Sequence, residues 1–111
     1  MKLSEIVGKL NLDIISGDEL LDKDITGGYV SDMLSDVMAH SKEGNIWITL
    51  QTHLNIIPVA SMKEVCAIII VNGRQPGEDT LAKAKTEKIP LLGTDMTAYQ
   101  IVGKLNELGI T

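Results

Sequence analysis

The segment TLQTHLN, residues 49–55, is polar without carrying a formal charge, although apolar runs flank it on both sides. Hydroxyl, amide and imidazole groups at this density can hold a small polar or anionic ligand through hydrogen bonds. The same groups can equally cap helices and satisfy nearby backbone groups, as a short connection between a strand and a helix requires. Both interpretations stay open at this point. The residues concerned are Thr49, Gln51, Thr52, His53 and Asn55.

Two further segments could bring polar groups to the same ligand, namely VNGRQPG at 71–77 and GTDMT at 93–97. An arginine in the first of them would supply the full positive charge, and its planar guanidinium suits phosphate or carboxylate better than a lysine does. The alternative is again structural, because Asn-Gly and a lone glycine form turns and a threonine before a helix caps it. The polar residues that the ligand hypothesis adds are Asn72, Arg74, Thr94 and Thr97.

No combination of residues has the spacing of a known catalytic or metal-binding motif. The two histidines, His40 and His53, have no His-x-His or Cys-x-x-Cys neighbour, and no serine lies in a Gly-x-Ser-x-Gly turn. The repeated IVGKLN at 6–11 and 101–106 lacks the earlier glycine of a P-loop and has leucine after its lysine. We therefore expect a protein that is not an enzyme and that uses no metal and no cofactor.

Length and charge exclude several classes of protein. The 111 residues suffice for one domain, 1–111, with a single core. A net charge of −5 with scattered Lys and Arg residues repels a phosphate backbone, so we expect no nucleic-acid partner. No apolar run approaches the roughly 20 residues of a membrane span, so we expect a cytoplasmic protein without a membrane partner. The single cysteine, Cys66, adjoins the run AIIIV and is expected to pack in the core.

Apolar periodicity predicts helices that alternate with strands. Helices are indicated at 3–10, 33–40, 55–65, 77–88 and 97–108, strands at 12–15, 45–50, 66–73 and 89–94, and turns over 17–28. This alternation predicts a single-domain α/β fold with a largely parallel sheet and helices packed on its faces. Ligands bind such sheets beyond the carboxyl ends of the strands, so the three polar segments should meet there. The helix after Asn55 is expected to direct unpaired N–H groups toward the same edge.

Gly27 and Gly28 stand between an acidic loop and the segment YVSDML. Two consecutive glycines predict a turn with positive φ or a close approach of backbone, and a valine at either position should strain it. We include both glycines among the candidate ligand-binding residues.

Three stretches of the sequence together resemble a known family. They are DKDITGGYVSDMLSDVMAHSKEGNIWITLQTHLNIIPVAS, AIIIVNGRQPGEDTLAKAK and IPLLGTDMTAYQIVGKL, and they cover nearly the whole chain. The chain resembles a stand-alone DRTGG domain, a family similar to the N-terminal domain of HPr kinase/phosphorylase. The naming motif stands here as Asp24, Ile25, Thr26, Gly27 and Gly28, with isoleucine in place of the arginine. The resemblance implies an α/β regulatory domain, usually attached to modules such as nucleotide-binding CBS pairs, with no established activity of its own.

The segment HLNIIPVASM predicts self-association. A helix that carries Ile56, Ile57, Val59, Ala60 and Met62 is apolar around most of its circumference, whereas a helix on one face of a sheet should have a wet side. Either the monomer buries this helix on two sides or a second copy covers it, and we expect a homodimer.

The sequence leaves two candidate functions open. The chain is a regulatory module that senses a small anionic metabolite or nucleotide at the sheet edge, or a protein–protein interaction or dimerisation domain without a ligand.

Overall fold

The computed structural model describes all of residues 1–111, and it contains five strands and five α-helices that alternate along most of the chain, together with a short 3-10 helix at Asp18–Leu20. The strands are β1 (Asp13–Ser16), β2 (Gly27–Val30), β3 (Asn45–Thr49), β4 (Ala67–Ile70) and β5 (Leu91–Gly93). The helices are α1 (Leu3–Lys9), α2 (Leu34–His40), α3 (Ile56–Lys63), α4 (Glu78–Glu87) and α5 (Ala98–Glu107).

The five strands form one sheet in the order β1-β5-β4-β3-β2. β2, β3, β4 and β5 are parallel to one another, whereas β1 pairs antiparallel with β5. The predicted α/β fold with a largely parallel sheet and helices on its faces is confirmed. Because the four parallel strands end at the same edge, the loops that follow them also meet there.

Helices cover both faces of the sheet and create two apolar clusters. α1 and α5 pack on one face, and α2, α3 and α4 pack on the other. In β3, Ile46 and Ile48 belong to the first cluster and Trp47 to the second, as the alternation of side chains along a strand requires. Burial on both faces explains why the middle of β3, Ile46–Ile48, and the whole of β4 are continuously apolar rather than alternating.

The edge strand β2 is not among the predicted strands, and it begins within the segment 17–28 for which the sequence predicts turns. Gly27 and Gly28 are its first two residues, and neither has positive φ, so the prediction of a strained turn is wrong. The expected close approach exists at Gly27 alone, where an added Cβ would lie 2.8 Å from the backbone oxygen of Thr111. At Gly28 an added Cβ would meet only the Ile46 oxygen at 3.7 Å, an ordinary contact. Pairing with β3 keeps both glycines extended.

Helix α3 is buried by neighbours within the same chain. Ile56, Ile57 and Ala60 are fully buried against the second cluster, and α3 contacts α2 on one side and α4 on the other. The solvent-exposed side of α3 is narrow and includes Met62, which is 71% exposed. The apolar circumference of α3 therefore needs no second copy to bury it, and self-association stays a prediction without this support.

Cys66 lies in the core, as the sequence predicted. Burial raises the pKa of its thiol to about 11, so the thiolate form is scarce at neutral pH. No helix in the structure is long and apolar enough to cross a membrane.

Candidate functional site

The loops that leave the carboxyl ends of the parallel strands form one continuous edge, which we call the rim. It comprises residues 31–33 after β2, 49–55 at the end of β3, 71–77 after β4 and 94–97 after β5. Nine of the eleven residues that the sequence indicates for a ligand lie on the rim: Thr49, Gln51, Thr52, His53, Asn55, Asn72, Arg74, Thr94 and Thr97. The other two do not, because Gly27 and Gly28 begin β2 and lie about 7 to 10 Å from its carboxyl end at 3.3 Å per residue.

Asp32 joins the β2 loop to the β3 loop. One of its carboxylate oxygens, Oδ1, accepts hydrogen bonds from the Thr49 hydroxyl at 2.9 Å and from the Leu50 backbone N–H at 2.7 Å. The Gln51 side-chain amide donates to the Asp32 backbone oxygen at 3.0 Å. No local sequence signal separates Asp32 from the other surface acids, because β2, the strand that places it beside β3, has no local signal of its own. The hydrogen bonds of Thr49 and Gln51 therefore hold the β3 loop to the β2 loop.

Arg74 is the basic residue of the rim. Its guanidinium Nη1 donates to the Leu50 backbone oxygen at 2.8 Å, and the side chain is otherwise exposed. None of the four ion pairs of the chain involves Arg74. In particular, Arg74 makes no ion pair with Glu78 or Asp79, the two acids at the start of α4. Since a guanidinium has five N–H donors, this arrangement leaves most of them directed at solvent.

The β4 loop turns sharply at Asn72 and Gly73, as the sequence predicted. Their φ values are 59° and 65°, and the Arg74 N–H donates to the Val71 oxygen at 3.3 Å, which defines a type I′ turn. The Asn72 and Gly73 N–H groups donate across to the β5 loop, to the backbone oxygens of Met96 at 2.9 Å and Thr94 at 2.8 Å. The turn fixes the position from which Arg74 reaches Leu50.

The segment before α3 satisfies its own backbone groups. The Asn55 N–H donates to His53 Nδ1 at 3.2 Å, and the N–H groups of Ile56 and Ile57 donate to the backbone oxygens of His53 and Leu54. Asn55 occupies the N-cap position but its side chain makes no capping hydrogen bond. The prediction that α3 presents these N–H groups unpaired to the rim is wrong, because a tight turn already uses them.

The remaining threonines of the rim also make internal hydrogen bonds. The Thr94 hydroxyl accepts from the Met96 N–H at 3.2 Å, and the Thr52 backbone oxygen accepts from the buried Thr80 hydroxyl at 2.9 Å. Thr97 and Gln100 form the predicted capping box at the start of α5. These contacts favour the structural interpretation for much of the polar segment.

A second polar cluster lies beside the rim on the α2 side. The Tyr29 hydroxyl donates to Asp36 at 2.9 Å, and His40 Nδ1 lies 3.0 Å from the other oxygen of the same carboxylate. Hydrogen bonds from Ser31 and Tyr29, together with His40, hold the pKa of Asp36 below its usual value, and the bond to Asp36 raises the pKa of Tyr29. The cluster attaches β2 to α2. In addition, the buried Trp47 indole N–H donates to the Ser31 backbone oxygen at 2.9 Å.

The rim combines hydrogen-bonded loops with one exposed guanidinium, that of Arg74. Arg74 offers unpaired donors, and no group of three or more His, Cys, Asp or Glu side chains is close enough to hold a metal. Neither histidine lies within hydrogen-bond distance of a hydroxyl or thiol that it could activate. These features define a small α/β domain whose carboxyl edge is ordered by hydrogen bonds and carries one free guanidinium.

Comparison with known proteins agrees with the α/β fold. The chain is similar to the crystal structure of the CBS and DRTGG domains of the regulatory region of Clostridium perfringens pyrophosphatase, complexed with the activator diadenosine tetraphosphate. The TM-score is 0.70 at 19% sequence identity, over 91% of this chain and 44% of that chain. No family model matches the sequence, and no curated protein does.

The structural match shows that the chain shares its fold with part of that regulatory region. At 19% identity the match carries no information on individual residues, so the candidate site rests on the contacts of the rim residues in this chain. The more specific similarity to the N-terminal domain of HPr kinase/phosphorylase stays a prediction.

Proposed function

We propose that the chain is a non-catalytic regulatory module that recognises a small anionic ligand, a phosphorylated metabolite or a nucleotide, at the rim. The observation that carries the proposal is the state of Arg74, which is exposed, free of carboxylate partners and held in place by the Leu50 oxygen. A guanidinium fixed through one donor keeps a planar fork for phosphate or carboxylate. The structurally similar regulatory region binds a polyphosphate activator, which supports this chemical class of ligand.

The ligand would affect more than one loop. Arg74 bonds the Leu50 oxygen and Asp32 bonds the Leu50 N–H, so the β4 loop and the β2 loop are linked through a single residue of the β3 loop. An anion that draws the guanidinium away from Leu50 changes the restraint on that residue. Thr52, His53 and Asn72 lie on the same edge and are the neighbours that would contact the rest of the ligand.

Differential scanning fluorimetry tests the proposal with inorganic phosphate, pyrophosphate, AMP, ATP and diadenosine tetraphosphate as the anions. A ligand present at 100 times its dissociation constant adds about 2.7 kcal/mol to the free energy of unfolding. For a domain of this size that raises the melting temperature by roughly 10 °C or more. The rise should diminish as salt screens the guanidinium.

Variants of the basic residues locate the site. Arg74→Ala should abolish the ligand-induced shift and lower the unliganded stability only by the one hydrogen bond to Leu50, about 0.5–1.5 kcal/mol. Lys85→Ala removes an exposed positive charge from the last turn of α4 and should keep the whole shift. An equal shift in Arg74→Ala and in the wild-type chain, or no shift with any of the anions, would contradict anion sensing at the rim.

The second candidate function is a protein–protein interaction or dimerisation domain that needs no ligand. One observation favours it, an uncovered apolar groove of about 160 Å³ between β2 and α5, whose lining does not include Arg74. For both candidate functions we also propose a cytoplasmic location and a regulatory rather than a catalytic role.

A further inference from the structure

The two edges of the sheet are protected differently. At the β1 edge, the pairing with β5 shifts register between Ile14 and Ser16, and the exposed carboxylate of Asp13 lies on the same strand. Irregular register and charge are the devices that keep an edge strand from pairing with another chain. β2 has neither, because its sequence is GGYV and its four residues pair with β3 in continuous register. The β2 edge is therefore open to a further strand.

The register identifies which backbone groups are available. The Ser31 N–H donates to the Ile48 oxygen, so Ser31 and Tyr29 face β3. Hydrogen bonding in a strand alternates from one residue to the next, and Gly28 and Val30 consequently direct their N–H and C=O groups away from the sheet. Both residues are exposed.

An apolar groove lies directly beside this edge. Its lining includes Gly28, Val30, Ile48, Val102, Leu105 and Ile110. Val30 is 50% exposed, and on the adjoining turn of α5 the ring of Tyr99 is 91% exposed. Gly28 contributes open space, since an added Cβ there would touch only the Ile46 oxygen at 3.7 Å. The groove thus offers a hole of about the size of a small aliphatic side chain immediately next to a projecting valine.

We propose that a second copy of this chain occupies the edge, with its β2 antiparallel to the first about a two-fold axis at Tyr29. Gly28 of each protomer then lies opposite the partner's Val30, and each such pair exchanges both of its N–H···O bonds. The valine of one protomer enters the space over the glycine of the other. The same residues supply the projection and the hole on both protomers, as a two-fold interface requires.

The charge pattern agrees with this occupant and this direction. β2 and the α5 face of the groove carry no charged residue, although the chain has a net charge of −5. The nearest acid along the strand, Asp32, falls opposite the partner's Thr26 in the antiparallel register. The two Asp32 residues are then separated by about six residues of strand, roughly 20 Å. A parallel pairing would set them side by side.

Sedimentation velocity over micromolar to submillimolar concentrations tests the interface. We expect a reversible monomer–dimer equilibrium. Val30→Lys should raise the dimer dissociation constant about tenfold or more, because it places a charge on the edge and in the groove. Ile14→Lys is the matched control, an exposed aliphatic residue on the opposite edge strand, 39% exposed, and should leave the equilibrium unchanged. A monomer at every concentration, or a dimer that Val30→Lys leaves intact, overturns the proposal.

Amide hydrogen exchange tests the register without a substitution. The N–H groups of Gly28 and Val30 should gain protection as the protein concentration rises, while those of β1 should not. Protection at other amides only, with Gly28 and Val30 unchanged in the dimer, overturns the β2 pairing. The inference does not depend on anion binding, because its measurements do not involve Arg74 or any ligand.

Discussion

Asp32 should contribute more to stability than any other exposed acid of the chain, and Asp32→Ala tests this expectation. The substitution leaves the Thr49 hydroxyl, in a residue that is 1% exposed, without an acceptor. A buried donor that loses its partner costs about 1–3 kcal/mol, whereas the half-buried Leu50 N–H can recover water. The free energy of unfolding should therefore fall by about 1–3 kcal/mol. The corresponding fall in melting temperature is about 5–20 °C for a domain of this size.

Urea denaturation followed by circular dichroism at 222 nm gives the required free energies. Asp32→Asn keeps an acceptor oxygen but loses its charge, so its effect should be roughly half that of the alanine variant. Asp22→Ala is the control, since that side chain is 95% exposed and its ion pair with Lys2 is 3.5 Å long. A surface pair of this kind contributes within about 0.5 kcal/mol.

A double-mutant cycle separates the contact from other effects of the substitution. In the background of Thr49→Val the hydroxyl is absent, and Asp32→Ala should then have a smaller effect than in the wild-type chain. Equal losses in Asp32→Ala and Asp22→Ala, or an unchanged loss in the Thr49→Val background, would refute the assignment of Asp32 as the link between the β2 and β3 loops.

Two further predictions concern the helices and the charges outside the rim. Ile57→Ala should lower the free energy of unfolding by about 2–5 kcal/mol, because Ile57 is fully buried between α3 and its neighbours. Met62→Ala on the same helix should change the free energy of unfolding by less than about 0.5 kcal/mol. Similar values for the two variants in urea denaturation would refute the burial of α3 within one chain. The Glu64 carboxyl raises the pKa of Glu43 above its usual value of 4.5, so the Glu43 side chain contributes stability below that value and loses this contribution as pH rises through its raised pKa. Glu64→Gln should therefore raise the melting temperature at pH 7 and not at about pH 3, a pH dependence that Glu107→Gln should not show.

The sequence predicted the elements whose signals are local. The capping box at Thr97 needs only residues three apart, and the Asn72-Gly73 turn needs only the tolerance of these two residue types for positive φ. The uninterrupted apolar run of β4 likewise indicates a strand covered on both faces. These features gave the fold class and brought three of the four rim loops to the correct edge.

The features that the sequence did not predict depend on neighbours that are distant along the chain. β2 begins with two glycines, which have low strand propensity, and it exists because β3 offers a parallel partner. As long as β2 is not predicted, no feature of the sequence distinguishes Asp32 from the other acids or places Gly27 away from the rim. The burial of α3 depended in the same way on the presence of two helices beside it, which the pattern of α3 alone could not reveal.

The bond between the Trp47 indole and the Ser31 oxygen gives the protein an intrinsic optical reporter. Trp47 is the single tryptophan of the chain, and its ring is fully buried while its N–H reaches the residue that precedes Asp32. Indole emission depends on the polarity around the ring and on its hydrogen bond, so a displacement of the β2 loop alters the wavelength and intensity of fluorescence without a label. Titrations of the rim can thus be followed in the unmodified chain.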